Sequence, residues 1–233
     1  MADFLTSSSF FGLGLSLIVF MTFELTRTHF KIKNPFFNPL LLSSLFIIIF
    51  LLLTKIDFEV YNESASVATY FLTPMTICLA IPLYRRVKEL KENLTAILIS
   101  ITAGCIGHVL IVVVLSLAVK LNESLMYSIT AKSVTTAIAL ALCEKLGGIQ
   151  SVTVVGVTIS GLTGAVLGPS ILKLVRVKEP VAQGLAIGCA SHAAGTSKAV
   201  ELGEVQGAMS SLAIVVTGIL TVIIVPIVAG VLG

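Results

Sequence analysis

The sequence has little charge and no tryptophan. Only 12% of its 233 residues are charged, whereas 56% are hydrophobic. Soluble globular proteins carry about 25% charged residues, so this chain has too few to cover a water-facing surface. A water-soluble domain is therefore excluded. A large aqueous domain on one anchor is excluded too, because apolar runs cover nearly the whole chain. The composition predicts a membrane protein that crosses the bilayer several times.

Cysteine is also scarce. The four cysteines lie in or beside apolar runs without a CxxC spacing, at Cys78, Cys105, Cys143 and Cys189. This pattern favours small packing residues over disulfides or a zinc site. The sequence contains no P-loop and no Ser-His-Asp arrangement, so neither an ATP-driven pump nor an enzyme is predicted, and no metal or other cofactor. Short basic loops with few aromatic residues indicate no role in nucleic-acid binding.

Eight apolar segments follow one another with short loops. A helix that crosses a bilayer needs about 20 apolar residues. Segments 1 to 8 cover residues 5–23, 38–54, 67–84, 95–119, 125–146, 149–172, 181–202 and 208–232 approximately. No linker or low-complexity stretch separates them. Residues 1–233 are therefore predicted to form a single, all-α integral membrane domain.

The charges in the loops predict an orientation. Ten of the 15 basic residues fall in the loops after segments 1, 3 and 6: Arg27, Lys31, Lys33, Arg85, Arg86, Lys88, Lys91, Lys173, Arg176 and Lys178. Cytoplasmic loops are enriched in Lys and Arg. All three loops lie on the cytoplasmic side only if segment 5 enters and leaves on the same face. The prediction is seven crossings and one re-entrant element, with an external N-terminus and a cytoplasmic C-terminus.

Two schemes of internal repetition are open. In one, segments 2–4 and 6–8 are inverted repeats, each with an interrupted middle helix, at Pro74 and Pro82 in segment 3 and at the polar run of segment 7. Paired interrupted helices in inverted halves point to a transporter binding site. In the other, residues 73–83 resemble residues 130–140, which predicts either parallel copies or a separate inverted role for segment 5.

The first polar constellation lies in segment 5 around Lys132. A lysine near the bilayer centre costs about 3 kcal/mol, which favours a functional role. The hydroxyls of Ser133, Thr135 and Thr136 follow it, and the apolar run 137–142 predicts a half-helix that begins there. A helix N-terminus beside a lysine forms an anion site. The alternative is that Lys132 extends to the membrane interface while the hydroxyls cap a short helix.

The second constellation lies in segment 7, where residues 188–198 read Gly-Cys-Ala-Ser-His-Ala-Ala-Gly-Thr-Ser-Lys. Two glycines and several polar side chains within an apolar run predict unwound backbone that lines a cavity. His192 changes charge near neutral pH and is the candidate proton-coupling residue. It could equally donate a hydrogen bond to substrate, or be a core histidine. Lys198 is expected to pair with Glu201 or Glu204.

Together the two constellations are predicted to form one substrate site. Its residues are Lys132, Ser133, Thr135, Thr136, His192, Thr196, Ser197, Pro74 and Thr76. Lys132 supplies the counter-charge and the hydroxyls orient a carboxylate, while Pro74 and Thr76 line the site from segment 3. His108 is isolated in segment 4 and is predicted to be structural.

At these constellations the sequence resembles the LrgB/CidB family. The resemblance rests on an ordered set of motifs that covers nearly the whole chain: 70–74 Tyr-Phe-Leu-Thr-Pro, 131–139 Ala-Lys-Ser-Val-Thr-Thr-Ala-Ile-Ala, 164–169 Gly-Ala-Val-Leu-Gly-Pro, 176–180 Arg-Val-Lys-Glu-Pro and 190–197 Ala-Ser-His-Ala-Ala-Gly-Thr-Ser. The chain departs from the usual family pattern at Ala131 and Ala137, where Pro is frequent, and at Ala193-Ala194, where Gly-Ile is frequent.

The resemblance implies two functions. Bacterial members are known as antiholin-like or holin-like proteins that control murein hydrolase export and autolysis beside a small LrgA/CidA-type partner. A plastid relative carries glycolate and glycerate, and bacterial pairs are implicated in pyruvate uptake. The intramembrane lysine and hydroxyls favour a monocarboxylate carrier, with a proton as candidate coupling ion. By analogy with other broken-helix carriers it is expected to be an elevator-like homodimer in the bacterial cytoplasmic membrane.

Overall fold

The computed structural model describes residues 8–32, 34, 37–71, 74, 77–78, 80–85 and 87–232. In these residues all regular structure is helical, which confirms the predicted all-α class. The chain divides into two compact units, Met1–Cys78 and Leu79–Gly233. Four described helices are long and apolar enough to cross a membrane: Phe11–His29, Lys91–Ala118, Gln150–Leu174 and Glu204–Val231. The chain is thus a membrane protein, as its composition predicts.

The first unit contains α1 (Phe11–His29), α2 (Pro39–Thr54), α3 (Phe58–Ala65) and α4 (Val67–Tyr70). Helix α2 is apolar but shorter than a full span. It begins at Asn38, whose side chain accepts hydrogen bonds from the amides of Leu40 and Leu41 and so caps the helix. Helices α1 and α3 pack closely, because the amide of Gly12 donates to Ser64 Oγ over 2.8 Å.

The second unit is built on three long helices joined by shorter ones. Its elements are α5 (Ala80–Arg85), α6 (Val87–Ala118), α7 (Glu123–Thr130), α8 (Thr136–Leu146), α9 (Gln150–Leu174), α10 (Pro180–Leu202) and α11 (Glu204–Leu232). The long apolar helices are α6, α9 and α11. The two polar constellations of the sequence fall between α7 and α8 and within α10.

Helices α7 and α8 form a hairpin, here called the first hairpin, with its tip at residues 131–135. Helix α7 runs back along α6, so that Met126 packs with Val113 in one cluster. After the tip, α8 runs back to the second half of α7. The amide of Ile149, just after α8, donates to Ser128 Oγ over 2.7 Å, and Leu146 packs against the cluster of Met126. The prediction that segment 5 enters and leaves the membrane on the same face stays a prediction.

Helix α10 also turns back on itself and forms the second hairpin. Its tip is Ser191 and His192, whose φ angles of −139° and 41° leave helical geometry. The two arms are α10a (180–190) and α10b (193–202). Gln206 Nε2 donates to Gln183 Oε1 over 3.2 Å, while Val200 contacts Gly207. Both arms therefore end beside the first turns of α11, whereas a straight helix would separate residues 183 and 200 by about 25 Å.

The second hairpin corrects the predicted path of the chain. The polar run correctly predicted a break in segment 7, but the segment was expected to cross the membrane. Because α10 returns to the end at which it began, α11 starts beside the basic loops and runs away from them. Val225 of α11 packs at the opposite end, with Met126 and Val113. The end of α11 therefore lies opposite the basic loops, whereas the sequence predicts the C-terminus on the same side as those loops.

The start of α6 and the end of α9 lie at the same end of this unit, here called the basic end. Val181, just after the α9–α10 loop, packs against the cluster of Ile97 in α6. Arg85 Nη1 lies 3.9 Å from Glu204 Oε1 at the start of α11. The basic loops after segments 3 and 6 thus share one end, as predicted. The pairing of segment 3 with segment 7 falls partly outside the described residues and stays a prediction.

Candidate functional site

The tips of the two hairpins meet on the middle of α9. The first tip packs at Gly156, where an added Cβ would lie 3.7 Å from Lys132 Cβ. The second tip packs further along α9, where His192 Nε2 lies 3.0 Å from the carbonyl oxygen of Val157 and the ring lies against Gly161. Because one hairpin enters from each end of the unit, their tips approach each other at half depth.

Glycines on α9 allow this approach. A Cβ at Gly161 would lie 2.7 Å from His192 Cε1, and one at Gly164 would overlap the side chain of Ser191. Neither contact is possible for a residue with a side chain unless the tip moves. Ser160, just before Gly161, donates to the carbonyl of Ala190 over 3.0 Å. The small residues of α9 therefore fix the depth and position of the second tip.

A cavity of about 1210 Å³ lies between α6, α9, α10a and the first tip. It extends from Asn93 and Glu179 at the basic end to His108, Lys132 and Ser133 at half depth. Its wall is mostly apolar or glycine, with hydroxyl groups from Ser100, Ser133, Ser160, Thr163 and Ser191. Every lining residue belongs to the second unit. The cavity thus leads from one end of this unit to the tip that carries Lys132.

Lys132 is the cation of this cavity. Its side chain is half-buried. The ion pairs formed within the described residues, which join Arg27 to Glu24, Arg85 to Glu204 and Lys198 to Glu201, do not include it. The one carboxylate in the cavity wall, Glu179, lies at the basic end. A cation that faces a cavity without a protein carboxylate beside it can bind an anion.

Ser133 and His108 stand beside Lys132. Ser133 is 6% exposed, and its Oγ lies 3.4 Å from His108 Nε2. The same ring nitrogen lies 3.1 Å from the carbonyl oxygen of Thr130. Because a carbonyl only accepts hydrogen bonds, Nε2 carries the hydrogen and His108 ties α6 to the first tip. The sequence-based prediction treated His108 as structural only, since a lone histidine in an apolar helix has no local pattern that marks a site.

Of the predicted site residues, the cavity brings together Lys132 and Ser133. Five others do not line it: Thr135, Thr136, His192, Thr196 and Ser197. Thr135 caps α8 by its backbone, and Thr136 is exposed on the first turn. Thr196 is fully buried.

Three further placements complete the set. Ser197 is exposed and donates to the carbonyl of Ala194. Pro74 belongs to the first unit and is exposed. Thr76 lies outside the described residues. Lys198 pairs with Glu201, one of the two partners expected for it.

The return arms of both hairpins begin at the tips. Helix α8 starts at Thr136 and α10b starts at residue 193, and each runs outward from half depth. The first amides of a helix lack intrahelical partners and carry the positive end of the helix dipole. Two such ends therefore point toward the middle of α9, which adds to the positive potential of Lys132. Within the described residues, no group of three or more His, Cys, Asp or Glu could hold a metal ion.

The fold and cavity define an all-helical membrane protein with two opposed hairpins beside a cavity that contains one lysine. The family model described as the LrgB-like family matches residues 16–231, and the chain belongs to this family. It is similar to proteins named Antiholin-like protein LrgB from Bacillus cereus strains B4264 and AH187 and from Bacillus anthracis strain CDC 684 / NRRL 3495. Each is 38% identical over 221 residues, which cover 95% of this chain and 96% of the relative. No solved structure matches the chain.

Proposed function

We propose that the chain is a secondary carrier of small monocarboxylates such as glycolate, glycerate or pyruvate. The observation that carries the proposal is Lys132, which lies at the deep end of a cavity between two opposed hairpin tips. Intramembrane charges of this kind mark substrate or ion pathways. Broken helices whose N-termini point at half depth are a recurring arrangement for anionic substrates in secondary transporters.

The charge of the cavity favours a monoanion. One cation at the deep end compensates one carboxylate, while Glu179 at the basic end adds no positive charge for a second. Ser133 is placed to donate its hydroxyl to the same carboxylate, and Ser160 offers a polar contact further along the wall. We assign the carboxylate to Lys132 and Ser133. A role in substrate binding stays a prediction for the other residues of the predicted site: Thr135, Thr136, His192, Thr196, Ser197, Pro74 and Thr76.

The proposed topology places the protein across the cytoplasmic membrane in several passes. In the second unit, α6, α9 and α11 cross, and the two hairpins re-enter from opposite faces. Since basic loops are retained in the cytoplasm, the basic end faces the cytoplasm and the cavity opens there. An elevator-like homodimer would then expose the same site to the outside in a second conformation.

The test is counterflow of labelled carboxylate in proteoliposomes that contain the purified chain. Vesicles loaded with unlabelled glycolate or pyruvate are diluted into the labelled compound, and uptake is measured over time. The wild-type chain is expected to show saturable uptake. Lys132→Ala is expected to reduce it at least tenfold, because the carboxylate loses its counter-charge. The matched control is Lys145→Ala, which removes an exposed lysine from the outer end of α8.

Absence of uptake by the wild-type chain, alone and together with a small LrgA/CidA-type partner, would refute the carrier proposal. Equal uptake by the Lys132→Ala and Lys145→Ala variants would show transport by another site. Both outcomes require that the variants elute from size-exclusion chromatography as the wild type does.

The names of the relatives support a second candidate function. Each reported relative is called an antiholin-like protein. On this reading the chain regulates murein hydrolase export and autolysis, and it acts through an LrgA/CidA-type membrane partner. A regulator without a substrate needs no intramembrane cation. The regulator hypothesis therefore predicts that Lys132→Ala leaves the autolysis phenotype of the cell unchanged. If the phenotype instead follows from transport of a metabolite, Lys132→Ala should abolish the phenotype.

A further inference from the structure

We propose that His108 binds the proton that crosses the membrane together with the carboxylate. The inference rests on the proposed carrier function and adds the coupling ion and its residue. It replaces His192, which the sequence alone made the candidate.

The position of the ring carries the proposal. His108 lines the cavity next to Lys132 and Ser133, at the deep end where the carboxylate is assigned. Its Nε2 is held by the carbonyl of Thr130. No hydrogen bond is formed by Nδ1 within the described residues, so this nitrogen has a free lone pair. A neutral imidazole held in this way can accept a proton at Nδ1 without breaking its link to the hairpin tip.

The other two histidines are placed less well for this role. His192 is 8% exposed, does not line the cavity, and contacts the backbone of α9 at Val157 and Gly161. His29 is the last residue of α1 in the first unit. In the described part of the chain, His108 is thus the one histidine whose side chain borders the cavity.

The charges around His108 link proton and substrate. Lys132 on the first tip is the other basic side chain at the deep end of the cavity. The other titratable groups described on α6 and on the elements packed against it are thiols, phenols, acids and bases. They are Lys88, Lys91, Glu92 and Cys105 on α6, Tyr84 and Arg85 on α5, Glu123 and Tyr127 on α7, Cys189, Lys198 and Glu201 on α10, Glu179 just before α10, and Glu204 at the start of α11. Two positive charges at Lys132 and His108 repel each other. A carboxylate bound beside both compensates the repulsion, so proton and anion bind together.

This arrangement makes the transported cargo neutral. The site holds one positive charge when empty, at Lys132, and the same net charge when loaded with a carboxylate and a proton. The proton binds at His108 Nδ1 from water in the open cavity and leaves to water on the other side. Uptake should therefore respond to a pH gradient and not to membrane potential.

The experiment compares counterflow with accumulation driven by an inward proton gradient, using labelled pyruvate in proteoliposomes. His108→Gln retains an N–H donor near the position of Nε2 but cannot bind the proton. We expect this variant to keep counterflow within about threefold of wild type and to lose gradient-driven accumulation. His29→Gln is the matched control and should retain both. A pH-sensitive dye inside wild-type vesicles should report one proton per pyruvate.

Several outcomes would refute the role of His108 without contradicting the carrier proposal. These are wild-type counterflow without proton movement, accumulation that persists in His108→Gln, or accumulation lost in His192→Gln alone. Absence of wild-type counterflow refutes the carrier proposal itself.

A second experiment applies if His108→Gln does not fold. The chain with both His29 and His192 replaced by Gln is treated with diethyl pyrocarbonate, so that His108 is the reactive histidine. The reagent should then abolish gradient-driven accumulation, and substrate present during the treatment should prevent this loss. Loss of accumulation despite substrate, or accumulation that the reagent does not affect, would contradict the proposal.

Discussion

At the scale of single residues, the absence of a side chain at Gly164 determines where the second hairpin ends. A methyl group there would overlap the side chain of Ser191. We expect Gly164→Ala to destabilise the protein by about 1–3 kcal/mol, as overpacking of a filled interior does, and to lower counterflow. Thermal unfolding in detergent, followed by size-exclusion chromatography, measures the first effect. Gly230→Ala is the control, because no atom lies within 4 Å of its added Cβ. Equal melting of both variants would show that the tip does not rest on α9 here.

A second prediction at this scale concerns Thr196, which the sequence placed in the substrate site. The side chain is fully buried, and its Oγ1 lies 2.6 Å from Ser210 Oγ. The pair joins α10b to α11. Thr196→Val removes the hydroxyl and leaves that of Ser210 without this partner, so we expect a loss of about 1–3 kcal/mol in stability. Thr196→Ser should retain most of it. Substrate affinity should be unchanged in both variants, and a selective loss of affinity would return Thr196 to the binding site.

At the scale of elements, the sequence predicted the interruptions better than the directions. A lysine followed by hydroxyls marked the first tip, and the count of loop charges required segment 5 to return to its starting face. The polar run 188–198 marked the second tip. Its turn could not be predicted, because a broken helix that continues and one that reverses have the same residue pattern. The direction depends on contacts between distant residues, such as Gln183 with Gln206 and Ile187 with Ala199.

The reversal of α10 gives a prediction that separates the two topologies. Gln183 and Gln206 are in hydrogen-bond contact, whereas a straight α10 would place them about 30 Å apart. In a chain whose native cysteines are replaced by alanine, a Gln183→Cys and Gln206→Cys pair should be joined in high yield by a short bis-maleimide. Mass spectrometry of the linked peptides measures the yield. The control pair, Gln183→Cys with Val231→Cys, spans the unit and should stay unlinked. Linking of the control alone would mean that segment 7 crosses.

At the scale of the whole molecule, the second unit shows why the composition predicted the class of protein but not the path of the chain. The apolar runs predicted its three long helices, and the basic loops predicted which ends lie together. The cavity depends on features that are local neither in sequence nor in charge. It requires one helix of small residues, α9, and two hairpins that reach it from opposite ends. His108 became part of the site only through its contact with Thr130, which lies 22 residues further along the chain.

The same architecture predicts the orientation of the membrane domain. Both basic loops of the second unit should face the cytoplasm, and the end of α11 should face outward, because α11 is a single crossing that starts at the basic end. In intact cells of the cysteine-free chain, Val231→Cys should react with an impermeant maleimide, while Arg176→Cys and Lys88→Cys should react only after the membrane is opened. All three side chains are exposed. Labelling is measured by the mobility shift of a polyethylene glycol maleimide. If Val231→Cys were protected like Arg176→Cys, the second hairpin would have to cross the membrane, and the cavity would lose one of its two tips.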